Sequence, residues 1–167
     1  MALLPQHSVK DTYISTVKLK SGALLALALV AGATLAQAEE ECLVSIREFG
    51  LRFGVGLQMY DDLGSKKFDD LALGRLSWVW AMAASVGTAD DYQSFRTAVA
   101  GLPDRKPLEH WFAQNDFFST ARASAKKYVE DAIQEIGSQL PVSNALLSAI
   151  KETQRIHNVL ENAYETS

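Results

Sequence analysis

Residues 18–40 read KLKSGALLALALVAGATLAQAEE, and the fold turns on what they are. Lysines, an apolar run and Ala36-Gln37-Ala38 before three glutamates have the parts of an export signal with its cleavage site. A signal also needs a short basic leader, whereas Met1 to Lys20 is long and contains Pro5, His7, Asp11, Tyr13, Ser15 and Thr16. A membrane span takes ~20 strongly apolar residues; this run is shorter, rich in Ala and Gly, and flanked by polar groups. Leu24, Leu25, Leu27, Ala28, Ala31, Leu35 and Ala38 recur at three- and four-residue steps, the period of a helix with an apolar side. The stretch is therefore predicted to be a buried helix whose small residues let neighbouring helices approach closely.

The rest of the chain agrees with a helical reading. Its 167 residues, 48% hydrophobic and 22% charged, suit one soluble globular domain over 1–167. A net charge of -4 gives no basic face for phosphates, so no nucleic acid is expected as a partner. The lone Cys42 cannot form an internal disulfide and is expected as a small buried apolar residue. Apolar and polar residues never alternate for long, and Ala, Leu, Glu, Lys and Gln dominate between breakers, which predicts an all-α fold.

A second helix is predicted from about Glu39 to Leu63, apolar along Leu43, Ile46, Leu51, Val55, Leu57 and Met59. Gly50, Gly54 and Gly56 lie inside it at a cost of ~1 kcal/mol each against alanine, which points to close packing or a cavity wall. Residues 64–76, GSKKFDDLALGRL, read as a charged loop, and helices resume at Ser77. Thr88 and Asp91 have the spacing of a capping box, and Pro103 and Pro107 fence off a loop. Asn115 or Asp116 is placed to cap a long helix with the stripe Ala121, Ala125, Tyr128, Val129, Ala132 and Ile136, ending at Gly137. A last helix follows Pro141 through Leu146, Leu147, Ile150, Ile156, Val159, Leu160 and Ala163. Trp78 and Trp80, two apart, do not share a helix face, so one is expected in the core and one along a groove or interface.

The chemistry concentrates in residues 58–70, QMYDDLGSKKFDD. Crowded carboxylates repel unless solvent or a divalent cation separates them, and Mg²⁺ commonly bridges one or two carboxylates to phosphates. Helical spacing puts Gln58, Asp61, Asp62 and Ser65 along one broad face. His110 and His157 have no second ligand at metal spacing, and no nucleophile elbow, phosphate-binding glycine loop or dinucleotide fingerprint occurs.

Three segments in order carry a resemblance: Lys20-Ser21-Gly22-Ala23-Leu24, then FGLRFGVGLQMYDDLG at 49–64, then Asp70-Leu71 with Gly74-Arg75-Leu76-Ser77. Together they resemble the C-terminal half of the polyprenyl synthetase family, the trans-isoprenyl diphosphate synthases, closely over about 13–84. The resemblance implies a helical bundle like the C-terminal half of the isoprenoid synthase fold. It implies that Lys20 holds a diphosphate, that Gln58 is the motif glutamine and that Asp61 and Asp62 face Mg²⁺. Asp70 would be the loop aspartate, and Arg75 would stand for the loop lysine.

The family's third aspartate is Ser65 here, a poorer Mg²⁺ ligand. Lys66 and Lys67 follow it, read either as an exposed basic loop or as point charges that contact diphosphate oxygens. The family's first aspartate-rich motif precedes the lysine helix, and Asp11 is the one acid before Lys20. The expectation is thus a cytoplasmic, prenyltransferase-like protein that binds the Mg²⁺-diphosphate of an allylic prenyl substrate and is incomplete for catalysis unless a partner completes it. A homo- or hetero-oligomer with another helical chain is expected, without an integral membrane span. The alternatives are a non-catalytic partner subunit or scaffold, a terpene synthase fragment, or an exported helical protein that loses residues 1–38.

Overall fold

The computed structural model describes residues 4–64, 67–140, 151–155 and 158–159. Among them every regular element is helical and no strand occurs. A 3₁₀ turn at Gln6–Ser8 leads into α1 (Val9–Val17), a π-helical turn at Lys18–Gly22, and α2 (Ala23–Leu35). Then come α3 (Glu40–Asp62), α4 (Lys67–Ala72), α5 (Trp78–Val86), α6 (Ala89–Ala100), α7 (Lys106–Gln114) and α8 (Phe117–Gln139).

Local chemistry explains where the elements depart from the pattern. Residues 64–76 contain α4, because Leu71 is buried and gives this charged segment an apolar anchor. Pro107 lies in the first turn of α7, where its missing N–H costs nothing. Asn115 closes α7 rather than opening α8, its side-chain amide donating to the Trp111 carbonyl at 2.8 Å. α8 runs through Gly137 to Gln139. Of the last predicted stripe, Val159 is exposed, while Leu146, Leu147, Ile150, Ile156, Leu160 and Ala163 lie outside the described residues.

The helices gather into two compact units, each built from two chain segments. Met1–Ser15 with Asp61–Ser124 forms the first. Its core is aromatic: Phe95, fully buried, meets Trp80 edge-on at a centroid distance of 5.0 Å and Trp111 at 5.0 Å, with Phe112 and Phe117 continuing the cluster. Both Trp78 and Trp80 are buried, so neither lines a groove. The reason is that Trp78 through Ala84 are all buried; α5 is a central helix with no side reserved for solvent. The Trp78 indole N–H donates to the Ala121 carbonyl at 3.1 Å, which satisfies its polar atom. Thr88 and Asp91 form the reciprocal capping box at the start of α6.

Thr16–Tyr60 with Ala125–Ser167 forms the second unit. Here the glycines of α3 are a packing notch. A Cβ on Gly50 would stand 2.6 Å from Ala26 Cα, one on Gly54 2.8 Å from Gly22 Cα, and one on Gly22 2.6 Å from the Leu51 carbonyl oxygen. Gly22 and Ala26 are four residues apart, as are Gly50 and Gly54, so two small-residue rows meet backbone to backbone. Gly56 faces the Val129 side chain of α8 in the same way. Arg52 of α3 pairs with Glu135 of α8 and covers the Tyr128 ring.

The apolar stretch is a helix, as its period predicts, but it is not buried. Within α2 only Ala26 is buried, while Leu24, Leu27 and Leu35 are 72%, 68% and 87% exposed. The contact with α3 uses the narrow small-residue edge with Leu29 beside it, and leaves Leu24, Leu27 and Leu35 outside. Cys42 is likewise half-buried, with its thiol free. Among the described residues one helix, Gln6–Leu35, is long and apolar enough to cross a membrane by length and composition, and 17% of its most apolar window is buried.

Candidate functional site

The residues singled out by sequence fall in both units. In the second, Lys20, Ser21 and Gly22 lie within the π-helical turn that separates α1 from α2. Such one-turn widenings of a helix frequently mark functional positions, because they re-aim side chains out of the regular ladder. The Ser21 hydroxyl donates to Gln58 Oε1 at 2.9 Å, so the lysine-bearing turn and the glutamine-bearing end of α3 are tied side chain to side chain. The glycine notch makes this possible, since Gly54 and Gly22 meet one turn before Gln58. Lys20 is exposed and has no ion-pair partner among the described residues, whereas Lys18, two residues earlier, pairs with Glu48 at 2.7 Å. Lys20 therefore carries a cation toward solvent at the widened turn.

The first unit holds the carboxylates. Asp61 and Asp62 end α3, and the structure gives them different surroundings. Asp61 is exposed. Asp62 is buried, and its Oδ2 accepts hydrogen bonds from the Tyr13 hydroxyl at 2.8 Å and from the backbone N–H of Trp78 at 2.7 Å. Trp78 is the first residue of α5, and the adjoining Ser77 makes no side-chain cap there. Asp62 thus supplies the anionic acceptor that a helix N-terminus favours, from sixteen residues upstream.

Asp70 and Arg75 meet across the turn after α4. The Arg75 guanidinium donates to Asp70 Oδ1 at 3.0 Å and the Arg75 backbone N–H to the Asp70 carbonyl at 2.9 Å. Arg75 remains 66% exposed at its side chain, so most of its donor fork faces solvent. Ser65 and Lys66 lie outside the described residues. His110 is exposed. Among the described residues no group of three or more His, Cys, Asp or Glu is arranged to hold a metal ion.

Sequence spacing missed Tyr13 and Trp78 as partners of Asp62. They lie 49 and 16 residues away along the chain, and no local pattern encodes such a contact. For Ser21 the signal was present, since a hydroxyl beside a candidate anion-binding lysine is a ready donor. No family model matches the chain, and neither a curated protein nor a solved structure matches it.

Proposed function

We propose that the chain is a diphosphate-binding protein of the polyprenyl synthetase type, one that takes the Mg²⁺-diphosphate of an allylic prenyl substrate and needs another helical chain for turnover. The observation that carries this reading is the Ser21–Gln58 hydrogen bond, which joins two of the three segments on which the resemblance rests. In this reading Lys20 in the second unit is a point charge suited to diphosphate oxygens, and Arg75 in the first unit is separately a bidentate fork. Asp61 is the carboxylate that faces Mg²⁺, with Asp62 beside it and Asp70 orienting Arg75.

Asp61 is exposed and offers carboxylate oxygen, the donor type Mg²⁺ takes together with water and phosphate oxygens. Bound with the substrate, Mg²⁺ would neutralise charge at the diphosphate leaving group. Lys66 would add a further cation. Transfer of the prenyl group to a second substrate, or its cyclisation, would fall to the completed assembly.

The exposed leucines bear on the partner. Leu19, Leu24, Leu27 and Leu35 leave an apolar side that water solvates poorly, and such surfaces mark interfaces. In this reading another helical chain covers these leucines. The glycine notch also argues against an export signal, because a segment cut away after Ala38 would have no reason to fit α3 backbone to backbone.

The test is calorimetric titration of Mg²⁺ and an allylic diphosphate into the wild type, Lys20→Ala and Asp61→Ala. Heat from the wild type that is lost in both variants supports the reading; equal heats in all three remove it. Intact mass addresses export: a chain that begins at residue 39 ends the cytoplasmic reading.

A further inference from the structure

One side of α2 is open to solvent. Leu24, Leu27 and Leu35 are exposed there, and so are Ala28, Ala31 and Thr34 between them. α3 takes the opposite side, through Gly22, Ala26 and Leu29. At ~100° per residue the exposed leucines and alanines share one side of the helix, a ridge of leucines with low points at the alanines.

The two ends of this ridge carry opposite charges. Lys20, one turn before Leu24, is exposed, and so are Glu39, Glu40 and Glu41 just beyond Leu35. None of the four has an ion-pair partner among the described residues, whereas Lys18 is already paired with Glu48. The dipole of α2 adds to the difference, since its C-terminus is the negative end. A surface that is basic at one end, acidic at the other and apolar between is complementary to itself run backwards.

The spacing supports the same fit. Lys20 and Glu39 lie equally far from the midpoint between Leu29 and Val30, as do Leu24 and Leu35, and Ala28 and Ala31. A two-fold axis at that midpoint therefore lays Leu24 against Leu35 of a second copy, Leu27 beside the small Ala31, and Lys20 against Glu39 at both ends. An anionic lipid surface fits less well, because it attracts Lys20 but repels the three glutamates.

We infer that the exposed side of α2 is the interface of a homodimer, in which two copies of the chain pair through antiparallel α2 helices. This rests on the reading proposed above only in that a helical chain covers the leucines, and it holds whether or not diphosphate binds. Because Glu39 of the second copy would engage the Lys20 ammonium, the dimer is measured without Mg²⁺ or diphosphate. Its failure then leaves the calorimetric test of diphosphate binding untouched.

Sedimentation velocity of the full chain over a concentration series is expected to show a monomer–dimer equilibrium. Leu27→Glu changes an exposed position, so circular dichroism should stay as in the wild type while the dimer is lost. Lys20→Glu opposes like charges at both ends of the pair and is expected to weaken association about tenfold; adding Glu39→Lys to it should restore wild-type association. Direction is read with a short bismaleimide in a Cys42→Ser background: a mixture of Leu24→Cys and Leu35→Cys chains should link, and neither chain should link to itself. A chain that is monomeric at every concentration overturns the inference and leaves the face to a different chain. So does a dimer that Leu27→Glu leaves intact, or linkage of Leu24→Cys chains to one another, which would make the pair parallel. Monomers that bind phosphatidylcholine–phosphatidylserine vesicles through Leu27 would give the face to lipid and overturn it as well.

Discussion

Gly54→Ala tests the contact on which the candidate site depends. A methyl group at this position would sit 2.8 Å from Gly22 Cα, 3.0 Å from the Ser21 carbonyl oxygen and 3.1 Å from Gly22 N, all of them backbone atoms that cannot rotate aside. Restoring an ordinary contact of 3.4 Å requires the π turn and α3 to part by about 0.6 Å. Overpacking of this kind costs about 2–3 kcal/mol when neither side can yield, and alanine returns about 1 kcal/mol through its better helix propensity. The net expectation is a loss of about 1–2 kcal/mol, or a fall of roughly 3–6 °C in Tm. The same retreat would stretch the Ser21–Gln58 bond from 2.9 Å to about 3.5 Å, beyond useful hydrogen-bond length, so diphosphate binding should weaken with it. Gly32→Ala is the internal control. Gly32 lies within α2, is exposed, and has nothing within 4 Å of its would-be Cβ, so alanine there should stabilise by about 0.5–1 kcal/mol. Thermal unfolding followed by far-ultraviolet circular dichroism reads both. Tryptophan fluorescence does not substitute for it, because Trp78, Trp80 and Trp111 all belong to the other unit. A Gly54→Ala protein as stable as Gly32→Ala would refute the close approach of the two small-residue rows.

Two further substitutions probe the first unit. Thr88→Ala removes the side-chain cap of α6 and should lower stability by about 1 kcal/mol in urea unfolding. The Thr88 hydroxyl and backbone N–H hold the Asp91 carboxyl below its ordinary pKa, so its contribution is present above that ordinary value and lost as pH falls through the folded one; Thr88→Ala should flatten the acid limb of the stability curve. The Tyr92 hydroxyl is buried with no hydrogen-bond partner among the described residues, so Tyr92→Phe should raise stability by about 1 kcal/mol. Burial, partly opposed by Arg96, pushes the Tyr92 phenol above its ordinary value near 10. The native contribution is then complete below that value and lost as pH rises through the folded pKa. Tyr92→Phe should remove this alkaline decline, and an unchanged alkaline limb would count against it.

The candidate site was partly legible before any coordinates. Helical spacing singles out Gln58, Asp61 and Asp62, while Lys20, Asp70 and Arg75 stand out only through the resemblance carried by the order of three short segments. What each carboxylate touches was not legible. Asp61 and Asp62 are identical in type and adjacent in position, yet one is exposed and the other accepts from Tyr13 and Trp78. Those donors come from distant parts of the chain, and only folding brings them together. Asp70 and Arg75, five residues apart, lie within reach of a single turn, so their pairing follows from local geometry.

The sequence by itself determined that the chain is helical, where α3 runs to within a residue at each end, and that Thr88 and Asp91 start a helix, because periodicity, propensity and capping act over a few residues. It also announced, through three glycines in one helix, that something approaches α3 closely. Only the tertiary structure decided what that something is and which sides of α2 and α5 are covered. The run at 23–35 is as apolar as a core helix, but burial depends on what neighbours are present, and here α3 takes only its small-residue edge with Leu29 beside it. α5, with less warning in its pattern, is buried on all sides: Phe95 of α6 meets Trp80 edge-on, Tyr13 of α1 packs on Trp78, and the Trp78 indole donates to the Ala121 carbonyl of α8. Period tells which residues share a side of a helix; the partner that meets that side is set by contacts between residues far apart in the chain.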